Sequence, residues 1–220
     1  MLVFRRYYII GTNFFMFFKF KKLNKKGFSL IEILVSVGLF AVIIVACSKL
    51  FALTIAGQRF TLRFQDVLNE TSYVMEYMSK AIRMGKKELN CASKSDPSSC
   101  NCLQNKGYGY NYEINEGKNQ ITFVNYNQRC QRFYLDVGEG VIKEALANSA
   151  AGLTDSANIA DLTSDDLLIN SFKFNLFGDG QYNNYQPRVT MFLDVERQGE
   201  EHTEVKVQTS VSQRNLDVKY

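Results

Sequence analysis

A chain of 220 residues has room for one ordinary domain and some additional length, which excludes a large multidomain enzyme. Hydrophobic residues make up 46% and charged residues 22%, so a core can be buried, and neither wholesale disorder nor a polytopic membrane protein fits. The net charge of +4 is local: residues 1–27 hold Arg5, Arg6, Lys19, Lys21, Lys22, Lys25 and Lys26 and no acid, which leaves 19 basic against 22 acidic side chains from Phe28 onward. Nucleic-acid binding is therefore not expected, and the basic run is a topological device beside an apolar one.

Residues 28–46 read FSLIEILVSVGLFAVIIVA, with Glu32 as the one charge, and Cys47 and Ser48 follow before Lys49. The length nearly matches the ~20 residues that cross a hydrocarbon core as a helix. The window is apolar on every face, unlike the striped core helix of a soluble protein. Lysines crowd its N-terminal end, which by the positive-inside rule stays cytoplasmic and sends the rest of the chain outward. Gly38 is the expected flexible or close-packing point, and Cys47 reads as a small buried residue. An ionised Glu32 in hydrocarbon costs at least ~2.5 kcal/mol unless it snorkels or pairs, so it is a functional candidate.

The run KKGFSLIE at residues 25–32, followed directly by the apolar stretch, resembles the cleavage and methylation signature of type IV prepilins and type II secretion pseudopilins. The match combines a basic leader, a glycine before the cut, a phenylalanine after it, a glutamate five residues into the mature chain and about twenty apolar residues. The resemblance implies cleavage after Gly27 by a membrane-embedded prepilin peptidase and N-methylation of the new terminus at Phe28. It also implies assembly through Glu32, whose carboxylate can pair with the Phe28 amine one helical turn away. Implied partners are prepilin peptidase, other pilin or pseudopilin subunits met through the N-terminal helix, the inner-membrane assembly platform, and the lipid bilayer before assembly. Implied localisation is the cytoplasmic membrane, single-pass with the head extracytoplasmic, and then the pilus or pseudopilus. The leader departs from the family in length, and a start at Met16 would leave the more typical MFFKFKKLNKKG.

Beyond the membrane segment, Phe60, Phe64, Val67, Val74, Met78 and Ala81 recur at intervals of 3, 4 or 7, the mark of one helical stripe, and no Pro or Gly interrupts residues 58–84. Gly85 reads as a C-cap glycine. Residues 86–106 form a loop holding Cys91, Cys100 and Cys102, which with Cys130 make four candidate disulfide cysteines outside the membrane. Three pairings are open, with Cys100–Cys102 disfavoured by its one-residue loop; a zinc site lacks the usual CxxC knuckles.

Strands are expected at residues 108–114, 120–126, 132–137, 168–177, 188–195 and 204–212, from their aromatic and β-branched content. Glu116, Gly117 and Lys118 make one hairpin connection and residues 197–200, with Gly199, another. Residues 145–166 read as a loop with one helical turn. The expected fold class is thus α+β: leader 1–27, transmembrane or filament-core helix 28–48, amphipathic helix 49–85, cysteine loop 86–106, and an antiparallel β-sheet head over 107–220, a lollipop plan shared by pilins and pseudopilins. The segment TSDDLLINSFKFNLFG and the ending VQTSVSQRNL resemble J-type and W-type minor subunits. Retention of Glu32 sets the chain apart from the K-type tip subunit.

Catalysis finds little support. His202 is the single histidine and lies in a polar turn, and no GxSxG, P-loop or HExxH motif is present, so no enzyme is expected. No cofactor is expected; Asp165, Asp166 and Asp179 are candidate calcium ligands that form no EF-hand pattern. The alternative reading is a membrane-anchored extracytoplasmic binding protein, an adhesin or DNA-uptake component, whose helix is a permanent anchor.

Overall fold

The computed structural model describes residues 27–180, 185–198 and 203–214. Residues 1–26 of the leader, Met16 among them, and His202 lie outside the described residues, as do Gly199 and Glu200 of the second expected hairpin. Among the described residues one α-helix, α1 (Leu30–Arg83), is followed by eight strands: β1 (Tyr112–Ile114), β2 (Gln120–Val124), β3 (Cys130–Asp136), β4 (Val141–Ala147), β5 (Ile159–Asp161), β6 (Leu167–Phe177), β7 (Arg188–Arg197) and β8 (Val205–Ser212). The chain divides into two compact units, one ending at Thr54 and one beginning at Ile55.

In the second unit, α1 buries Val67, Thr71, Val74, Met75, Met78 and Ile82, a stripe at helical spacing. The stripe begins later than the sequence suggests: Phe60 is 46% exposed, and Phe64 and Ala81 are only partly buried. Instead of the one expected sheet there are two, both antiparallel. Strands β1 to β5 form a meander in sequence order, and β6 to β8 form a second sheet. Tyr112, Ile121, Phe123, Phe133 and Ile142 from the first sheet share one core with Phe172, Phe174, Met191 and Leu193 from the second and with the helix stripe.

The differences from sequence expectation have local causes. The first strand starts at Tyr112 rather than at residue 108 because Gly107 (φ 95°) and Gly109 (φ 87°) take the left-handed region and turn the chain. Strand β2 stops at Val124 because the Asn125 side-chain oxygen accepts from the backbone N–H groups of Asn127 and Arg129, closing the next turn. In the β1–β2 hairpin the left-handed residue is Lys118 (φ 58°) rather than Gly117. Residues 145–147, expected in a loop, complete β4, paired along its whole length with β3. Short 3-10 turns at Ala151–Thr154 and Ser156–Asn158 then lead to β5. In β6 a bulge between Ile169 and Ser171 switches the inward set from Leu167 and Ile169 to Phe172 and Phe174, keeping both halves of the strand facing the core.

Gly85 is not a left-handed cap. A Cβ there would lie 3.0 Å from the Ile82 carbonyl oxygen and 3.1 Å from the Tyr112 ring, so close approach favours glycine at this position. The buried Gln213 amide donates to the Gly85 carbonyl at 2.9 Å and to Asn111 Oδ1 at 3.0 Å, and the Arg214 N–H donates to the Arg83 carbonyl at 2.8 Å. The two residues that follow β8 thus hold the end of the helix. Further up α1, the Tyr77 hydroxyl donates to both oxygens of Glu144 on β4, at 2.9 and 3.0 Å, and burial together with that carboxylate pushes its pKa up to about 12.

Candidate processing and assembly site

Residues 27–29 precede the helix. The Ser29 carbonyl accepts from the N–H groups of Glu32 at 3.0 Å and Ile33 at 3.2 Å, which starts the helical ladder. A Cβ added at Gly27 would meet nothing within 4 Å, and no positive φ applies there, so the fold itself makes no demand for glycine at that position. Phe28 is 77% exposed. Glu32 is exposed in the first helical turn, where a carboxylate is favoured by the positive end of the helix dipole. It has no ion-pair partner among the described residues.

From Leu30 to Thr54 no residue is buried, and leucine, isoleucine, valine and phenylalanine face outward on every side. The hydroxyls in this stretch are satisfied within the helix: Ser36 donates to the Glu32 carbonyl at 2.7 Å, Ser48 to Ile44 at 2.8 Å and Thr54 to Leu50 at 2.9 Å. Backbone and hydroxyl polarity are thus internalised, which is what a lipid-like surrounding demands. By length and composition the helix can cross a membrane. Gly38 has open space around it, and Cys47, expected to be buried, is exposed because none of the described residues of this unit packs on the apolar helix.

Residues 22–48 match the family model described as the prokaryotic N-terminal methylation motif. No curated protein and no solved structure matches the chain. The motif is that of a type IV pilin-like or pseudopilin-like precursor, in a family of structural subunits rather than enzymes, and it implies processing by prepilin peptidase and assembly with other pilins. Motif and apolar helix together fit a membrane-anchored pilin. The match leaves residues 49–220 outside it.

The cysteines form two bridges, Cys91–Cys100 and Cys102–Cys130, so all four sulfurs are used and none is left as a zinc ligand. A residue not singled out from the sequence organises this loop. Glu88 is 1% exposed, and its carboxylate accepts from the backbone N–H groups of Asn90 (2.9 Å), Cys102 (2.7 Å) and Leu103 (3.3 Å). Cys102, Leu103 and Cys130 then pack with Val124, Ala145, Ala147 and Leu153 in a second small core on the outer side of the first sheet. Among the candidate calcium ligands, Asp179 lies 2.9 Å from Lys106 and Asp166 lies 3.5 Å from Arg197. Among the described residues no cluster of three or more His, Cys, Asp or Glu side chains could hold a metal ion.

Proposed function

We propose that this chain is a minor pilin or minor pseudopilin: cut after Gly27, N-methylated at Phe28, and built into a type IV pilus or type II secretion pseudopilus, in its initiation or at its tip. The observation that carries the reading is a glycine the described fold does not need, followed by a helix segment in which no residue is buried among the described residues and whose first turn holds a single acid. Such a segment is stable only in lipid or against other helices. Cleavage creates a cationic amine at Phe28, and pairing it with Glu32 within or between subunits cancels both charges in an apolar core. The head domain, with its disulfide-stapled loop, suits an extracytoplasmic compartment.

The test is incorporation. In the native host, wild-type chain is expected in sheared filaments, and Glu32→Ala chain is expected to be cleaved normally yet lost from them. Normal incorporation of the variant contradicts the role given to Glu32. The second reading, a permanently anchored binding protein, draws on a cleft of about 450 Å³ lined by polar side chains including Lys86, Lys87, Asn90, Asn101 and Gln128. It requires no cut at Gly27.

A further inference from the structure

Strands β6 and β7 turn Phe172, Phe174, Met191 and Leu193 into the core, and the alternate residues form the outer face of the second sheet. On that face the register sets Phe177 beside Arg188, Asn175 beside Thr190 and Lys173 beside Phe192. Strand β8 adds only hydroxyls and an amide to these three rows. No acid lies in them, although acids outnumber bases from Phe28 onward, and the first acid further along the face, Asp194, is met by Lys206 at 3.5 Å. One end of the face is an aromatic corner. Phe177 and Tyr185 are 58% and 60% exposed, with ring centroids 5.8 Å apart and planes inclined at 59°. The chain holds them there: a Cβ on Gly178 would lie 3.0 Å from the Gln186 carbonyl oxygen and 3.2 Å from Tyr185 Cβ, and the Gln186 amide donates to the Gln213 carbonyl at 3.0 Å. The Arg188 guanidinium carbon lies 5.9 Å from the Phe177 ring centroid, and no carboxylate pairs with it among the described residues. A guanidinium over a ring keeps its N–H fork for a planar anion.

We propose that the outer face of the second sheet binds an acidic glycan, a chain of sugars that carry carboxylates. Arg188 takes one carboxylate through its fork and Lys173 takes another. These two cations lie about 14 Å apart across the rows, so an oligomer meets both and a single sugar does not. The Phe177 and Tyr185 rings pack on the C–H faces of the sugars, while the amides of Asn175 and Gln208, which both donate and accept, match sugar hydroxyls. Single-stranded nucleic acid wants successive ring platforms along a basic groove, which two rings inclined at 59° on an open face do not supply. A protein partner is disfavoured by the lysine, since interface centres are depleted of it. The row of Phe177 and Arg188 lies at the end of the sheet where Gln213 meets Gly85 and α1 finishes. At the opposite end of the sheet Arg197 lies 3.8 Å from Asp66, about 25 Å back along the helix from Arg83. The aromatic corner is thus the part of this face farthest along α1 from the apolar segment. The assignment holds whether or not the leader is cut.

The experiment is calorimetric titration of the purified full chain in detergent with tetragalacturonate, with its neutral methyl ester and with a hyaluronate hexamer. Binding of at least one acidic probe is expected with a Kd below about 1 mM. For that probe, affinity is expected to fall at least about tenfold in Arg188→Gln and about threefold or more in Phe177→Ala, and Arg188→Lys, which keeps the charge and loses the fork, is expected to fall between wild type and Arg188→Gln. The methyl ester is expected to bind at least about tenfold more weakly than tetragalacturonate. Both positions are exposed, so the variants are expected to melt like the wild type, which separates lost binding from lost fold. Wild-type chain that binds neither acidic probe overturns the proposal. Binding that survives both Arg188→Gln and Phe177→Ala also overturns it, and assigns the glycan to the cleft beside Lys86 and Lys87. Tighter binding of oligodeoxythymidylate than of either glycan would make the face a nucleic-acid site instead. Loss of Phe177→Ala chain from sheared filaments, with no glycan bound by the wild type, would give the face to a neighbouring subunit.

Discussion

The hydroxyl of Tyr112 donates to the carbonyl of Ile82 at 2.7 Å, so the first strand of the head grips the last turn of the helix through one buried hydrogen bond. Gly85 makes room for that ring. Tyr112→Phe is expected to cost about 1–2 kcal/mol and Gly85→Ala about 1–3 kcal/mol, because the first removes a buried partner and the second forces backbone and ring apart. Thermal unfolding of the purified chain in detergent measures both; unchanged melting of both variants would contradict the account of this junction.

Glu88 is expected to matter more than any exposed acid. Replacing it by alanine leaves three backbone N–H groups without their acceptor, at a cost of about 2–3 kcal/mol or more, and frees the cysteine loop. Limited proteolysis is the readout: cutting within residues 90–106 should accelerate in Glu88→Ala and less so in Glu88→Gln, which keeps one acceptor oxygen.

The two disulfides should differ in worth. Cys102–Cys130 closes a loop with a sequence separation of 28 and Cys91–Cys100 one of 9. Chain entropy then assigns about 3.5 kcal/mol to the first and about 2.5 kcal/mol to the second. Cys102 and Cys130 are also buried in the second small core, whereas Cys91 is half-buried. Double Cys→Ala replacement of each pair, followed by denaturant unfolding, should show the larger loss for Cys102–Cys130.

Tyr77 sets an alkaline limit. Its pKa is raised from 10 to about 12, first by burial and then by Glu144. The folded state therefore holds the proton more tightly than the unfolded one. The associated stability is complete below pH 10, erodes as pH rises above it, and is gone above about 12. Tyr77→Phe should lower stability at neutral pH by losing the bond to Glu144, and should flatten the decline across that window. An unaltered alkaline slope in the variant would show that another group governs it.

Much of this architecture is legible in the sequence, where periodicity carries it. The stripe of α1 and the alternation in β6, β7 and β8 reflect one-sided burial, which leaves a mark on residue order. Strand β4 leaves none: VIKEALA is made largely of good helix formers, and its seven-residue pairing with β3 overrides local propensity. Glu88 is equally silent, since an acid after two lysines reads as a solvated turn, and the N–H groups that bury it arrive from 14 and 15 residues further on. The leader junction is legible for the opposite reason. In the function proposed above, Gly27, Phe28 and Glu32 answer to partners outside the chain, so their pattern is written in the sequence while the fold leaves them bare.

The most direct measurement is mass spectrometry of the N-terminal peptide of this chain, recovered from membranes or sheared filaments of the native host. The account predicts a peptide that begins at Phe28 and carries one methyl group on its amine. A chain that keeps its leader in cells with an active prepilin peptidase would contradict it, and would leave the apolar helix as an anchor for an extracytoplasmic binding domain.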